Sequence, residues 1–283
     1  MPMSSEGSRE GTEVEPPKAR TVRVSAHQLA SLSLIISSFL VCTCFCAHCS
    51  AQKADWESQL EGMAPQYNSS MASAVIPPLE SVILEARRAH DTHKQVAAHA
   101  KLGQVYLDIG NYQQAINHAS DAVQLAKNSR DADGKYYGEA LETLSKAYGK
   151  VQQHQKAKQY AELYRNFVVQ AHAPAETVAK ATLRLALTYS ACGERAKEIP
   201  LLENSLRTAG AFSSNQHLAL RTKVELGLAM WSAYQLSPSN VQTEQGQRVI
   251  RLMREVASTV PRDAKSAAAV KEARGYLTAI GLK

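Results

Sequence analysis

A short pattern returns along this chain in fixed register: a leucine, a small residue, two variable residues, then a large apolar or aromatic residue. It appears as Leu102-Gly103 with Tyr106, Leu144-Ser145 with Tyr148, Leu185-Ala186 with Tyr189, and Leu226-Gly227 with Met230. Tyr106 and Tyr148 are 42 residues apart, and the steps to Tyr189 and then Met230 are 41 each. A period of this length, held four times, marks a chain built from stacked copies of one helical hairpin, in which neighbours close a core that no single copy could. The second helix of each copy is legible too. Gly110-Asn111 makes a turn before Ala115 and Ala119, and the next copy has Ala157 and Ala161. The third turns at Gly193 and then places Glu198 where a small residue is expected. The fourth has a longer turn around Pro238 before a helix carrying Val249, Ile250, Met253 and Val256.

Composition agrees with this. Aromatics are 6 % of the residues, and alanine, leucine and valine supply most of the apolar content, which suits closely stacked helices better than a sandwich or barrel. The small residue after each leucine lets the two helices of a copy approach, and the aromatic one turn on fills space between copies. An Ala-rich segment from Arg262 to Leu282, with an apolar stripe of Ala267, Val270, Ala273, Leu277 and Ile280, is predicted to cap the C-terminal end. A helix restarting after Pro78, with Leu79, Val82, Ile83 and Ala86 on one face, is predicted to cap the other.

The chain divides by composition into four stretches. Residues 1–28 are a tail expected to be disordered, rich in Ser, Glu, Gly and Pro, in which Arg9, Lys18, Arg20 and Arg23 cancel Glu6, Glu10, Glu13 and Glu15. Residues 29–51 are read as a transmembrane anchor or signal segment, because the uncharged run at 29–47 approaches the ~20 residues needed to span a bilayer. Residues 52–78 read as a linker broken by Pro65 and Pro77-Pro78, and residues 79–283 as the helical repeat domain. A retained anchor is the primary reading, since the apolar run is longer than a signal core of ~7–15 residues and starts far from Met1. Lys18, Arg20 and Arg23 upstream then place the N-terminus in the cytosol, in a single-pass membrane protein. The alternative is cleavage before Gln52, giving a secreted or organelle-lumen protein.

The net charge of +6 is spread along helices among acidic residues, without the dense Lys/Arg runs and interleaved aromatics of a nucleic-acid surface, so no nucleic acid is expected as partner. Four of the five cysteines, Cys42, Cys44, Cys46 and Cys49, crowd the end of the apolar segment, leaving Cys192 alone and no disulfide framework for the repeats. Neither a phosphate-cradling glycine loop, a nucleophile elbow nor an HExxH pattern occurs. His93, His99, His118, His154 and His172 lie on different helices and turns without ligand spacing, so neither a metal nor another cofactor is expected, and no catalytic residue is named.

The repeat resembles the tetratricopeptide pattern, W-x2-L-G-x2-Y followed by A-x3-F, with His99 at the Trp position and Ala119 at the Phe position. Its period exceeds the family's usual ~34 and is similar to the longer-helix subclass of kinesin light chains. The resemblance, over about residues 95–260, implies an all-α fold: a right-handed superhelix of stacked antiparallel helix pairs, here behind an N-terminal transmembrane helix. Together with the apolar segment at 29–47, it leads to a membrane-tethered adaptor or assembly factor that binds proteins rather than catalyses reactions. The family's groove is lined by the first helix of each repeat. Carried onto this chain, it comprises Gln104 and Asp108, then Glu139, Glu142, Lys146 and Lys150, then Lys180, Leu183 and Leu187, and finally Arg221, Leu228 and Trp231. That lining implies a peptide partner with acidic residues flanking an apolar anchor, the anchor seated near Trp231. The family's carboxylate clamp for chaperone tails is not evident, because Gln104, Lys146 and Leu187 stand at its positions. A trafficking module similar to the soluble fusion-factor attachment proteins is a further alternative, disfavoured because those repeats lack the Leu-small-x2-Tyr register.

Overall fold

The computed structural model describes Trp56, Ser58 and residues 69–129, 134–210, 216–237 and 241–282. Two units separate in the chain, 1–59 and 60–283, and only Trp56 and Ser58 of the first are described, both helical. The expected tail at 1–28 and the apolar segment at 29–51 lie outside the described residues. Among the described residues, no helix is long and apolar enough to cross a membrane.

Ten helices and no strand are found among the described residues. A first helix, α1 (Ser69–Arg88), precedes the hairpins α2 (Thr92–Asp108) and α3 (Tyr112–Asn128), α4 (Gly134–Lys150) and α5 (His154–Gln170), α6 (Ala175–Ala191) and α7 (Arg195–Gly210), and α8 (Gln216–Ala233) and α9 (Glu244–Ala257). The final helix is α10 (Ala264–Ala279). The first helices begin at residues 92, 134, 175 and 216, so the sequence period is the structural period. Each helix packs on the next, while α2 also packs on α4 and α8 on α10.

The turns explain why the register holds. A residue in the left-handed region ends the first helix of every hairpin: Gly110 (φ 83°), Gln152 (61°), Gly193 (77°) and Gln235 (48°). The next residue's N–H reaches back five residues, from Asn111 to the Tyr106 carbonyl, Gln153 to Tyr148, Glu194 to Tyr189, and Leu236 to Trp231, satisfying carbonyls the helix end leaves unpaired. The fourth hairpin therefore uses Trp231, not Met230, at the position held by Tyr106, Tyr148 and Tyr189. Its packing keeps the sequence register, since Met230 is fully buried and Gly227 lies against Met253, while α8 extends one residue longer before turning. Side-chain caps start several helices: Asp91, Asn111, Thr243 and Asp263 accept from the backbone N–H groups of Lys94, Gln114, Gly246 and Ser266.

Close approach within a hairpin rests on the small residues expected there. A Cβ on Gly103 would lie 3.2 Å from both the Cβ and the backbone N of Ala119. Glu198, at a small-residue position, is buried with Ser190 as hydrogen-bond partner, and burial raises its carboxyl pKa. The apolar core is assembled from alanine, leucine and valine along the whole stack, with Val249, Ile250, Met253 and Val256 of α9 all buried as their spacing predicted.

Two boundaries differ from expectation. The helix expected after Pro78 begins at Ser69 and passes through Pro77 and Pro78. Both prolines are on the exposed side, where the carbonyls they leave without an N–H partner can be hydrated, while Leu79, Ile83 and Ala86 are buried. In α10 the buried stripe is Ser266, Ala269, Val270, Ala273 and Leu277, so Val270, Ala273 and Leu277 are buried as expected, while Ala267 faces solvent and Ser266 is buried in its place.

Candidate functional site

The groove residues expected from the sequence separate into three groups. Asp108, Glu142, Lys146, Lys150 and Leu187 come together on α2, α4 and α6. There, α4 and α6 scarcely touch, and between them opens a cavity of about 280 Å³ lined by Lys146, Lys150, Arg184 and Leu187, with Ser145, Gly149, Thr188 and Ala191, and floored by His154 and Ala157 of α5. Three cations and no carboxylate line it. Lys146 pairs at 2.5 Å with Glu142 one turn earlier on its own helix. Burial pushes the Glu142 carboxyl up, but Lys146, Arg184 and a hydrogen bond from the Tyr164 hydroxyl outweigh it and hold the pKa below the ordinary range. Burial lowers the pKa of Arg184, a loss that Glu142 and Tyr164 partly oppose. Asp108 is pushed up by burial, with Lys146 opposing. Lys150 is exposed and makes no ion pair among the described residues. The Ser145 hydroxyl, in a residue 2 % exposed, has no hydrogen-bond partner among the described residues. Arg184, Ser145 and His154 are residues the sequence reading missed. Their signal was position: Ser145 is the small residue beside Leu144, and Arg184 stands one residue before the third Leu-small pair.

A second group is committed to the fold. Leu183 is buried in the core. Glu139 reaches back to α2 and pairs at 2.9 Å with Lys101, a lysine only 7 % exposed whose ammonium also lies over the Tyr136 ring. Arg221 pairs with Glu225 on its own helix and, at 2.7 Å, with Glu272 of α10. Trp231 takes Tyr276 of α10 edge-on, with ring centroids 5.3 Å apart, and Leu228 packs against the core beside it. The place expected for a partner's apolar anchor is thus taken by the chain's own last helix, which packs across α8 as the first helix of a further repeat would. In the third group, Gln104 is half-buried and Lys180 pairs along its own exposed surface with Glu176.

The histidines also depart from expectation. His99 on α2 and His118 on α3 were read as unrelated, yet their Nδ1 atoms are 3.2 Å apart. Tyr106 stacks on the His118 ring at an interplanar angle of 7°. Burial carries the His99 pKa from 6.5 down to about 4, with Asp121 opposing and His118 and Arg87 adding to the shift. His118 is lowered as well, by burial against the pull of Asp121 and Glu80.

Comparison with known proteins places this architecture. Residues 95–166 match the tetratricopeptide repeat family model. No curated protein sequence matches the chain. Among solved structures, it is similar to the nearly identical TPR-like repeats of a putative kinesin light chain from Podosopora anserina, at TM-score 0.56 and 20 % identity over 73 % of this chain and 97 % of that one. It is also similar to BtubC (BKLC) from P. vanneervenii, at TM-score 0.51 and 15 % identity over 74 % and 89 % of the two chains. The apo form of RapI is a third, at TM-score 0.52 and 11 % identity over 74 % and 77 %. Identities this low speak to fold alone. Residues 95–166, the first two hairpins, carry the tetratricopeptide repeat pattern, and the hairpins that follow have the same helix-pair fold.

Proposed function

We propose that this protein is a non-catalytic scaffold that docks a peptide segment of a partner protein in the cavity between its second and third hairpins. The observation that carries this reading is the cavity lining: Lys146, Lys150 and Arg184 converge beside Leu187, over a buried Ser145 hydroxyl with no partner among the described residues. Such a site fits one acidic side chain and a neighbouring aliphatic one. The apolar anchor was expected near Trp231, where Tyr276 packs instead, whereas Leu187, a groove position from the same half of the chain, lines the cavity. Selection of peptides from a random display library on the full chain tests the proposal. The expected consensus pairs Asp or Glu with Leu, Ile or Val, and Lys150→Glu weakens the selected peptides about tenfold or more, less so at high salt. A consensus without acids, or peptides indifferent to Lys150→Glu, contradicts it.

The same reading tethers the scaffold to a membrane through residues 29–47, on the strength of that uncharged apolar run and the basic flank at Lys18, Arg20 and Arg23. The full chain is expected to stay with membranes through alkaline carbonate extraction. Release into the supernatant, or a mature N-terminus at Gln52, rules the tether out.

A further inference from the structure

The first hairpin holds three metal-ligating side chains within reach of one another. His99 comes from the middle of α2, His118 from the middle of α3, and Asp121 from one turn further along α3, with their donor atoms all within 4.8 Å of one another. The His99 and His118 Nδ1 atoms are 3.2 Å apart, and the His99 Nδ1 is 3.7 Å from an Asp121 carboxylate oxygen. Two nitrogens bound to one tetrahedral zinc at the usual ~2.0–2.1 Å must lie about 3.3 Å apart. The nitrogen pair therefore already spans an edge of that tetrahedron. Asp121 is exposed and free to swing the remaining few tenths of an ångström.

The repeat supplies its own control. Shifting by one period puts Leu141, Tyr160 and Leu163 at these three positions in the second hairpin, and by another, Thr182, Leu201 and Asn204 in the third. Hairpins of the same fold thus close without ligand side chains there, and the combination of two histidines and a carboxylate is peculiar to the first. Tyr106, stacked on His118, fixes that ring with its Nδ1 toward His99. In the second hairpin the same stack joins Tyr148 to Tyr160, so the ring position is structural and only the nitrogen is new. His99 is held by burial, at 5 % exposed. Carboxylates of Asp121 and, from α1, Glu80 bear on this corner, with Arg87 of α1 as the opposing cation.

We propose that His99, His118 and Asp121 bind a zinc-class divalent cation, with the fourth coordination position opening beside exposed Asp121 to water or to a partner's side chain. Three protein ligands and one open position give a site that joins α2 to α3 and remains available to an incoming group.

The test uses the full chain with Cys42, Cys44, Cys46, Cys49 and Cys192 replaced by serine, so that thiolates do not contribute. Zinc is titrated in competition with a chromophoric chelator, and cobalt is added separately to read coordination from its visible spectrum. One zinc per chain and tetrahedral cobalt bands are expected. Asp121→Asn, an exposed change that leaves packing alone, should weaken zinc on the order of 10- to 100-fold, and His118→Ala should abolish binding at one equivalent. Absence of stoichiometric zinc, or equal affinity in parent and Asp121→Asn, overturns the proposal and leaves a histidine–histidine hydrogen bond as the whole content of the cluster.

Discussion

Replacing Glu139 with glutamine is expected to lower the free energy of unfolding by about 3 kcal/mol, read from urea denaturation of the full chain. Lys101 is buried between α2 and α4, and Glu139 is its ion-pair partner. Removing the carboxylate strands an ammonium in a place where water does not replace it. The double substitution Lys101→Met, Glu139→Leu removes both charges together and is expected to regain most of the loss, because a buried pair contributes little net stability over apolar residues of similar size. If Glu139→Gln is as stable as the parent, the pair between the first two hairpins is not the constraint described above. The result also bears on function: Glu139 sits where the family places groove residues, so lost binding in a Glu139 variant would report on folding before it reported on contact.

Acidification is expected to destabilise the first hairpin through His99. Its pKa is about 4 in the fold against 6.5 for the free side chain, so between these values the unfolded chain takes up the proton and the folded one does not. The corresponding stability is fully present above about 6.5 and is lost as pH falls toward 4, by about 2–3 kcal/mol in total. Urea midpoints measured across this range in chelator-treated protein, for the parent and for His99→Leu, check the claim. Leu141 at the equivalent position of the second hairpin indicates that leucine fits. His99→Leu should remove much of the pH dependence in that window. An unchanged slope would place the titration elsewhere.

The repeat was legible in the sequence because its period is set by local chemistry. Leu-small pairs fix helix approach, and a left-handed residue follows each aromatic by four positions, whether it is Gly110, Gln152, Gly193 or Gln235. What could not be read were choices made between helices. Trp231 looked like an exposed groove aromatic until α10 folded back to place Tyr276 against it. Glu139 read as a groove residue because its partner, Lys101, is a whole hairpin helix away. His99 and His118 are 19 residues apart, a separation that carries no metal signal unless both are laid on the antiparallel hairpin. In the structure Gly103 faces Ala119, and the His118 ring is met by His99 one turn before that glycine and by Tyr106 one turn after it. The gap between α4 and α6 had no sequence signal, since it depends on how far neighbouring repeats splay.

In the proposed function, the cavity between the second and third hairpins reads an acidic residue of a partner through Lys150 and its neighbours. A charge-swap cycle, measured by fluorescence anisotropy with a selected peptide, tests it most directly. Lys150→Glu should weaken the acidic peptide about tenfold or more, and a peptide carrying Lys in place of its acid should bind Lys150→Glu better than it binds the parent. Equal losses for both peptides, with no recovery in the swapped pair, would show that Lys150 does not read the acid.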